Sequence, residues 1–262
     1  MTDDVRGAKT GPRQMSVSVT VRYRLMWWVN RTVIRTLFDV RVSGLDAWPA
    51  PPFQLVANHH NGFDPLVIMA VLPLEPRITW FGPREADFSR GFKNRVMAFF
   101  GGVIPVHPQL TTLTSAVRAV RRVFDANGVL GIFAEGRIGF RESDLLEFED
   151  GAAAFAVASG VPVVPCAVIG TTHLWFRKRL VVRFGPPIPS SAVRGREVRT
   201  ELERRTHAAV QVLLPPEEPA LPARRPMAFL TDLLNGRDDI ERRAAAELST
   251  RDRLAADHEA SR

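Results

Sequence analysis

The chain has 262 residues, 45% of them hydrophobic, enough for one good-sized α/β domain with extensions. Its formal net charge of +7 points to a polyanionic partner: a nucleic acid, an anionic membrane surface or a phosphorylated substrate. The single cysteine, Cys166, excludes an intrachain disulfide and any multi-cysteine metal site, and it fits a reducing compartment.

Residues 1–14 form a polar leader expected to be disordered, with no secretory signal pattern. Between residues 15 and 39 the character changes, as Trp27, Trp28 and many aliphatic residues alternate with Arg22, Arg24, Arg31 and Arg35. A helix here puts guanidinium groups on one side and aromatic and aliphatic groups on the other. That is the signature of an amphipathic segment lying in a membrane interface. The alternative is an ordinary surface helix packed on the domain. No uninterrupted apolar run reaches the roughly 18–20 residues a spanning helix needs, so the expectation is a protein that lies on a membrane.

Strands are expected at residues 40–42 and at Phe53–Ala57, joined through Trp48-Pro49-Ala50-Pro51-Pro52. A helix follows Asp64-Pro65. Next come a strand at 77–82, a helix at 91–100 and a short strand at 101–106. Val117, Val120, Val123 and Phe124 recur at helical spacing and predict a helix over 114–126, ended by Asn127-Gly128. The strand Val129–Phe133, a small-residue helix at 152–159, strands at 161–169 and 180–184, and an amphipathic helix at 196–214 complete the pattern. Residues 40–215 thus read as one α/β domain, a mostly parallel or mixed central sheet flanked by helices. A proline- and charge-rich tail covers 216–262, with one short helix at 227–234.

The stretch with the clearest chemistry is Asn58-His59-His60-Asn61-Gly62-Phe63-Asp64-Pro65. It places His59 at the end of a strand and Asp64 at the mouth of a helix. Asn61-Gly62 supplies a turn that folds the acid back on the histidine. A histidine so placed serves as a general base, and the acid holds its tautomer and stabilises its protonated form. Three plainer readings stand beside this one. Asp64 is also a plausible helix cap, His59 a satisfied core histidine, and His59, His60 and Asp64 a zinc site that lacks a second ligand cluster. Further on, Phe133-Ala134-Glu135-Gly136-Arg137 leaves a buried strand through a tight turn. Arg137 is expected at the same sheet edge as His59, where open α/β sheets collect ligands. An arginine there grips a phosphate bidentately, with Glu135 to orient it; a surface turn with a salt bridge is the alternative.

These blocks, in this order, resemble the glycerophospholipid acyltransferase family, typified by lysophosphatidic acid acyltransferases. The N-H-x4-D block is Asn58, His59 and Asp64. A basic-acidic pair before a glycine-rich strand is Arg84-Glu85 followed by Gly101-Gly102-Val103-Ile104-Pro105-Val106. The F-P-E-G block is Phe133-Ala134-Glu135-Gly136, the proline-punctuated strand is Val161-Pro162-Val163-Val164-Pro165-Cys166, and the closing block is Arg183-Phe184-Gly185-Pro186-Pro187-Ile188. The likeness covers about residues 40–189.

The resemblance implies that His59 takes the proton from an acceptor hydroxyl as it attacks the thioester of acyl-CoA or acyl carrier protein, with Asp64 orienting the imidazole. Arg84 and Arg137 would hold the acceptor's phosphate, and Glu135 and Gly136 would shape the turn; no metal or other cofactor is required. Ala134 stands where the family has proline, Arg137 directly follows the glycine, His107-Pro108 stands where arginine is frequent, and Glu149-Asp150 where lysines are common. These departures thin the positive charge around the acceptor and leave His59 and Asp64 untouched. The expected function is therefore an O-acyltransferase acting on a lysophospholipid such as 1-acyl-glycerol-3-phosphate, peripheral or monotopic at the cytoplasmic face of an anionic membrane. The alternatives are the same chemistry on a glycolipid or aminolipid, and a catalytically silent lipid-binding protein. Nucleic-acid binding is not expected, because no signature of it is present.

Overall fold

A computed structural model describes residues 17–81, 103–104, 113–139, 141–149, 151–190 and 195–235. Arg84-Glu85, the helix expected at 91–100, the flanks of the strand at 103–104, His107-Pro108 and Asp150 lie outside the described residues, as do the leader and most of the tail.

Among the described residues the order is α1 (Val17–Leu37), β1 (Asp39–Ser43), β2 (Phe53–Ala57), α2 (Asp64–Val71), β3 (Ile78–Phe81), β4 (Val103–Ile104), α3 (Leu113–Asp125), β5 (Val129–Phe133), α4 (Gly151–Ser159), β6 (Val163–Ile169), β7 (Arg179–Phe184), α5 (Arg196–Leu213) and α6 (Phe229–Asn235). The strands form one sheet in the order β1-β7-β6-β2-β5-β3-β4. The run from β6 to β4 is parallel, whereas β7 is antiparallel to β6 and carries β1 parallel to itself at the edge. The first two expected strands are therefore not neighbours: β1 pairs with the last strand, and β2 takes the centre.

Alternation along each strand divides the core into two layers. Phe53, Leu55 and Ala57 of β2 face one cluster with Tyr23, Met26, Ile34, Val67 and Ile68 from α1 and α2. Val56, with Leu130 and Ile132 of β5, faces the other, built on α3, α4 and α5 through Val120, Phe124, Ala156 and Leu202. Gln54 looks to that second side too, and its buried amide donates to Ala152 O of α4 at 2.9 Å. Central β2, paired on both sides and covered on both faces, is buried along its whole length, which explains a nearly continuous apolar strand.

Helix α1 is a working part of this domain. Tyr23, Met26, Trp27, Asn30, Ile34 and the following Phe38 are buried at helical spacing. Trp27 Nε1 donates to Leu72 O at 3.2 Å, Asn30 Nδ2 to Leu66 O at 2.9 Å and Arg31 Nη1 to Ala70 O at 2.8 Å. Two of these acceptors lie at the carboxyl end of α2, where helix carbonyls lack partners of their own. So α1 clamps the helix whose first residue is Asp64. Its outer face is also apolar: Val21, Leu25, Trp28, Val29 and Val33 are exposed, with Arg22, Arg24 and Arg35 around them. The segment is thus a helix packed on the domain, and the expected separation of arginines from apolar side chains does not hold, because Arg22, Arg24 and Arg35 lie among the exposed apolar residues. No described helix is long and apolar enough to cross a membrane.

Candidate active site

β2 and β5 are parallel neighbours with Ala57 opposite Phe133. The segments that follow them, 58–64 and 134–139, therefore leave the carboxyl edge of the sheet side by side. The parallel register alone brings His59 next to Glu135.

His59 Nδ1 lies 2.9 Å from Asp64 Oδ2. A carboxylate only accepts, so Nδ1 carries the proton and Nε2 presents its lone pair. No described residue bonds Nε2, and the His59 side chain is 12% exposed while Asp64 is fully buried. Asp64 Oδ2 also accepts the N–H groups of His60 at 2.7 Å and Asn61 at 2.8 Å. The reading of Asp64 as a helix cap is thereby corrected: its carboxylate turns back into the loop before α2, and the residue flanking the helix, Phe63, makes no side-chain cap. Three donors on one oxygen hold the carboxylate against the imidazole.

The turn itself is fastened on every side. Asn58 extends β2 by one residue through its side chain, giving Nδ2–H to Val168 O (2.9 Å) and taking Val168 N–H on Oδ1 (2.7 Å). Asn61 Oδ1 accepts Phe63 N–H at 2.9 Å, closing a local turn, and its Nδ2 donates to Thr171 O at 2.7 Å. His59 N–H donates to Glu135 Oε1 at 2.6 Å, and Gly139 N–H returns a bond to His59 O at 2.7 Å. Glu135 Oε2 accepts Leu146 N–H at 2.9 Å. Burial pushes the Glu135 carboxyl above its ordinary value, against the two amides and the neighbouring histidines. The expectation that Glu135 orients Arg137 needs correction, because both of its oxygens hold backbone instead. Gly136 takes a φ of +64°, which side chains disfavour, and the chain turns there. Arg137 is exposed on the same edge and makes no hydrogen bond or ion pair among the described residues.

The imidazole plane is fixed from a direction the sequence motif does not announce. The His59 ring stacks on Phe133, centroids 4.2 Å apart and planes 20° apart, and Phe133 stacks on Trp80 at 4.8 Å and 6°. Trp80 is paired with Gly131 across β3 and β5. A Cβ on Gly131 would stand 2.5 Å from the indole, so glycine is the residue that admits the stack. The only signal for this in the sequence is a glycine in the middle of an otherwise apolar strand.

Glu142 and Thr172 also join the site without having been singled out as functional, and His60, considered only as a metal ligand, packs against them. Glu142 is buried and accepts Gly170 N–H and Thr172 N–H, both at 2.8 Å, from the end of β6. His60 Nδ1 lies 3.4 Å from Glu142 Oε2. Cys166 is fully buried in β6, where desolvation raises its thiol well above the ordinary value, in keeping with an inert core residue.

A family model described as Acyltransferase matches residues 39–169, half of the chain. Among solved structures, the chain is similar to that of the 1-acyl-sn-glycerophosphate (LPA) acyltransferase, PlsC, from Thermotoga maritima. The TM-score is 0.56 at 20% identity, over 76% of this chain and 83% of that one. At that identity the likeness concerns the fold.

Proposed function

The chain belongs to the acyltransferase family, and from that premise we propose that it moves a fatty acyl group from acyl-CoA or acyl carrier protein to the hydroxyl of a lysophospholipid, 1-acyl-glycerol-3-phosphate being the first candidate. The observation that carries the reading is the His59–Asp64 pair: a protonated Nδ1 held at 2.9 Å by a triply bonded carboxylate, and an Nε2 with no described partner at the carboxyl edge of the sheet. His59 Nε2 takes the hydroxyl proton as the oxygen attacks the thioester carbonyl. A carbon–oxygen bond forms, the carbon–sulfur bond breaks, and the proton passes from the imidazolium to the departing thiolate. Asp64 stabilises the imidazolium in between, the division of labour of a hydrolase triad without its protein nucleophile. No metal or other cofactor enters this scheme.

Arg137, exposed beside the turn, and Arg84 are proposed to bind the acceptor's phosphate, with Glu135 and Gly136 shaping the loop between them and the base. The membrane is proposed to meet the outer stripe of α1, where Val21, Leu25, Trp28, Val29 and Val33 offer apolar contact and the flanking arginines suit anionic headgroups. The cytoplasmic face is the side that goes with either acyl donor. The test is transfer from labelled acyl-CoA, and in parallel from acyl carrier protein, to a panel of lyso-lipids. Product on lysophosphatidic acid supports the full reading, and product only on a glycolipid or aminolipid moves the acceptor. Arg137→Ala is expected to raise the acceptor KM about tenfold, as loss of one phosphate contact costs; an unchanged KM removes Arg137 from that role.

A further inference from the structure

Among the described residues, the exposed large hydrophobic side chains are not spread evenly. Those on the outer stripe of α1 form one group, and Val42, Val117 and Val212 stand singly. The rest, Phe176, Leu221, Met227, Phe229 and Leu233, belong to the loop between β6 and β7 and to the segment running from α5 into α6. Single exposed apolar residues need no explanation, whereas a cluster of them does.

Contacts join these two segments into one ledge. Phe176 N–H donates to Pro226 O at 2.8 Å, next to Met227. Thr231 Oγ1 accepts Leu174 N–H at 2.7 Å and donates to Leu174 O at 3.1 Å. Leu230 is buried in the same core layer as Tyr23, Met26 and Ile34 of α1, so the ledge and the stripe belong to one side of the sheet. The ledge is anchored from beneath, yet Phe176 and Phe229 stay 38% and 57% exposed. β6 runs parallel to β2, and the loop after β6 therefore leaves the sheet at the edge that carries His59. Asn61 Nδ2 of the catalytic turn bonds the start of that loop at Thr171 O. At the loop's other end, Arg177 N–H donates to Leu37 O at 2.7 Å, on the last residue of α1. Arg177, Arg224 and Arg225 are exposed in the ledge. The acids Glu217 and Glu218 lie at the end nearest α5 in the chain, where Glu218 Oε2 accepts Ser143 N–H at 3.3 Å.

We propose that this ledge is a second membrane-binding surface, which together with the α1 stripe lays the carboxyl edge of the sheet against an anionic bilayer. The proposal rests on the reading of an enzyme that works on membrane lipids, and it adds an orientation. One stripe leaves the molecule free to swing about it, whereas two contacts on either side of the catalytic turn hold His59 toward the acceptor. Phenyl rings at headgroup depth with guanidinium groups beside them suit an anionic interface. Other occupants suit the ledge less well. Residues 236–262 carry Ile240, Leu248 and Leu254 as their only large apolar side chains. A second copy in a twofold contact would bring Arg177, Arg224 and Arg225 against their own counterparts, which is repulsive.

The test uses the full chain. Cys166 is the only cysteine and is fully buried, so a polarity-sensitive dye attaches selectively to Phe229→Cys. Val212→Cys is the control, because Val212 is 82% exposed but lies on α5, over the opposite layer. Vesicles of equal parts phosphatidylglycerol and phosphatidylcholine are expected to shift the emission of the dye at position 229 to the blue and to leave that at 212 unchanged. Phe176→Ser and Phe229→Ser combined are expected to lower vesicle affinity about tenfold or more, through loss of two inserted rings, with the circular dichroism spectrum of wild type. An aqueous spectrum at 229 while the wild type still co-sediments overturns the ledge and leaves the α1 contact standing. A blue spectrum at 229 before vesicles are added also overturns it, because the chain's own tail or a second copy then covers the ring. If the wild type binds no vesicles, both membrane contacts fail, and acyl transfer to a short-chain acceptor dispersed in water decides the enzymatic reading separately.

Discussion

At the scale of single residues, the account rests on two side chains and the groups that aim them. His59→Ala is expected to lose acyl transfer by at least about three orders of magnitude with its unfolding transition unchanged, since the ring is partly exposed and its stacking partner Phe133 stays in place. Asp64→Asn keeps the shape but removes the charge and the preference for one tautomer, and a fall of about 10³–10⁴-fold in kcat is expected by analogy with triads. A fall of less than tenfold would show that the carboxylate serves the turn and not the base. Gly131→Ala tests the stack, because its Cβ meets the Trp80 ring and a loss of about 1–3 kcal/mol is expected from overpacking. Denaturant melts unchanged from wild type would show that the indole yields without cost. His59 and Asp64 were legible in the sequence because a strand, a turn and a proline-led helix place them five residues apart with little freedom. Glu142 was not legible. Its partners are Gly170 and Thr172, 28 and 30 residues away, and nothing local marks an acid that holds amides at the end of another strand.

At the scale of elements, the two adjacent tryptophans of α1 separate its roles. Trp27 is 9% exposed, bonds Leu72 O and packs on α2, whereas Trp28 is 61% exposed on the outer stripe. Trp27→Ala is expected to destabilise the fold by about 3–5 kcal/mol. Trp28→Ala is expected to change stability by no more than about 0.5 kcal/mol, yet to weaken co-sedimentation with anionic liposomes. Equal loss of liposome binding in a folded Val120→Ala control, or none in Trp28→Ala, would place the membrane contact elsewhere. Truncating the chain through Trp28 is a poor test, since it removes the buried Tyr23, Met26 and Trp27 together with part of the stripe. The sequence suggested a helix with arginines on one side and apolar residues on the other, but periodicity alone does not say which apolar residues find a protein partner. The strands were legible for the opposite reason: β2, β5 and β6 are short apolar runs between turn signals. The pairing of β1 with β7 depended on closure of the sheet by residues 140 positions apart and was beyond local reading.

At the scale of the whole molecule, buried charge makes stability depend on pH in a direction that can be worked out. His60 is raised from 6.5 to about 9 in the fold, so its contribution is complete below pH 6.5 and is lost as pH rises toward 9. Glu142 is lowered from 4.5 to about 2, so its contribution is complete above pH 4.5 and fades as pH falls toward 2. Lys178 is lowered from 10.5 to about 8, so the cost of its buried charge is relieved as pH rises through that value, near the upper end of the window. Between pH 6.5 and 8 the wild-type denaturation midpoint is therefore expected to fall, and Glu142→Gln is expected to flatten that slope; a flat wild-type profile would show that His60 gains no proton affinity in the fold. The fold class and the edge of the sheet that carries the site followed from the order of the blocks, because parallel strands place their carboxyl ends together. The acceptor did not follow, since of the two arginines expected to contact a phosphate only Arg137 lies among the described residues. The measurement that bears most directly on the account is transfer of a labelled acyl group from acyl-CoA to lysophosphatidic acid, run side by side with wild type and a folded His59→Ala variant. The account predicts diacylated product from the wild type and essentially none from the variant. Equal product from both proteins would contradict it, because the base at the centre of the site would then play no part in the reaction.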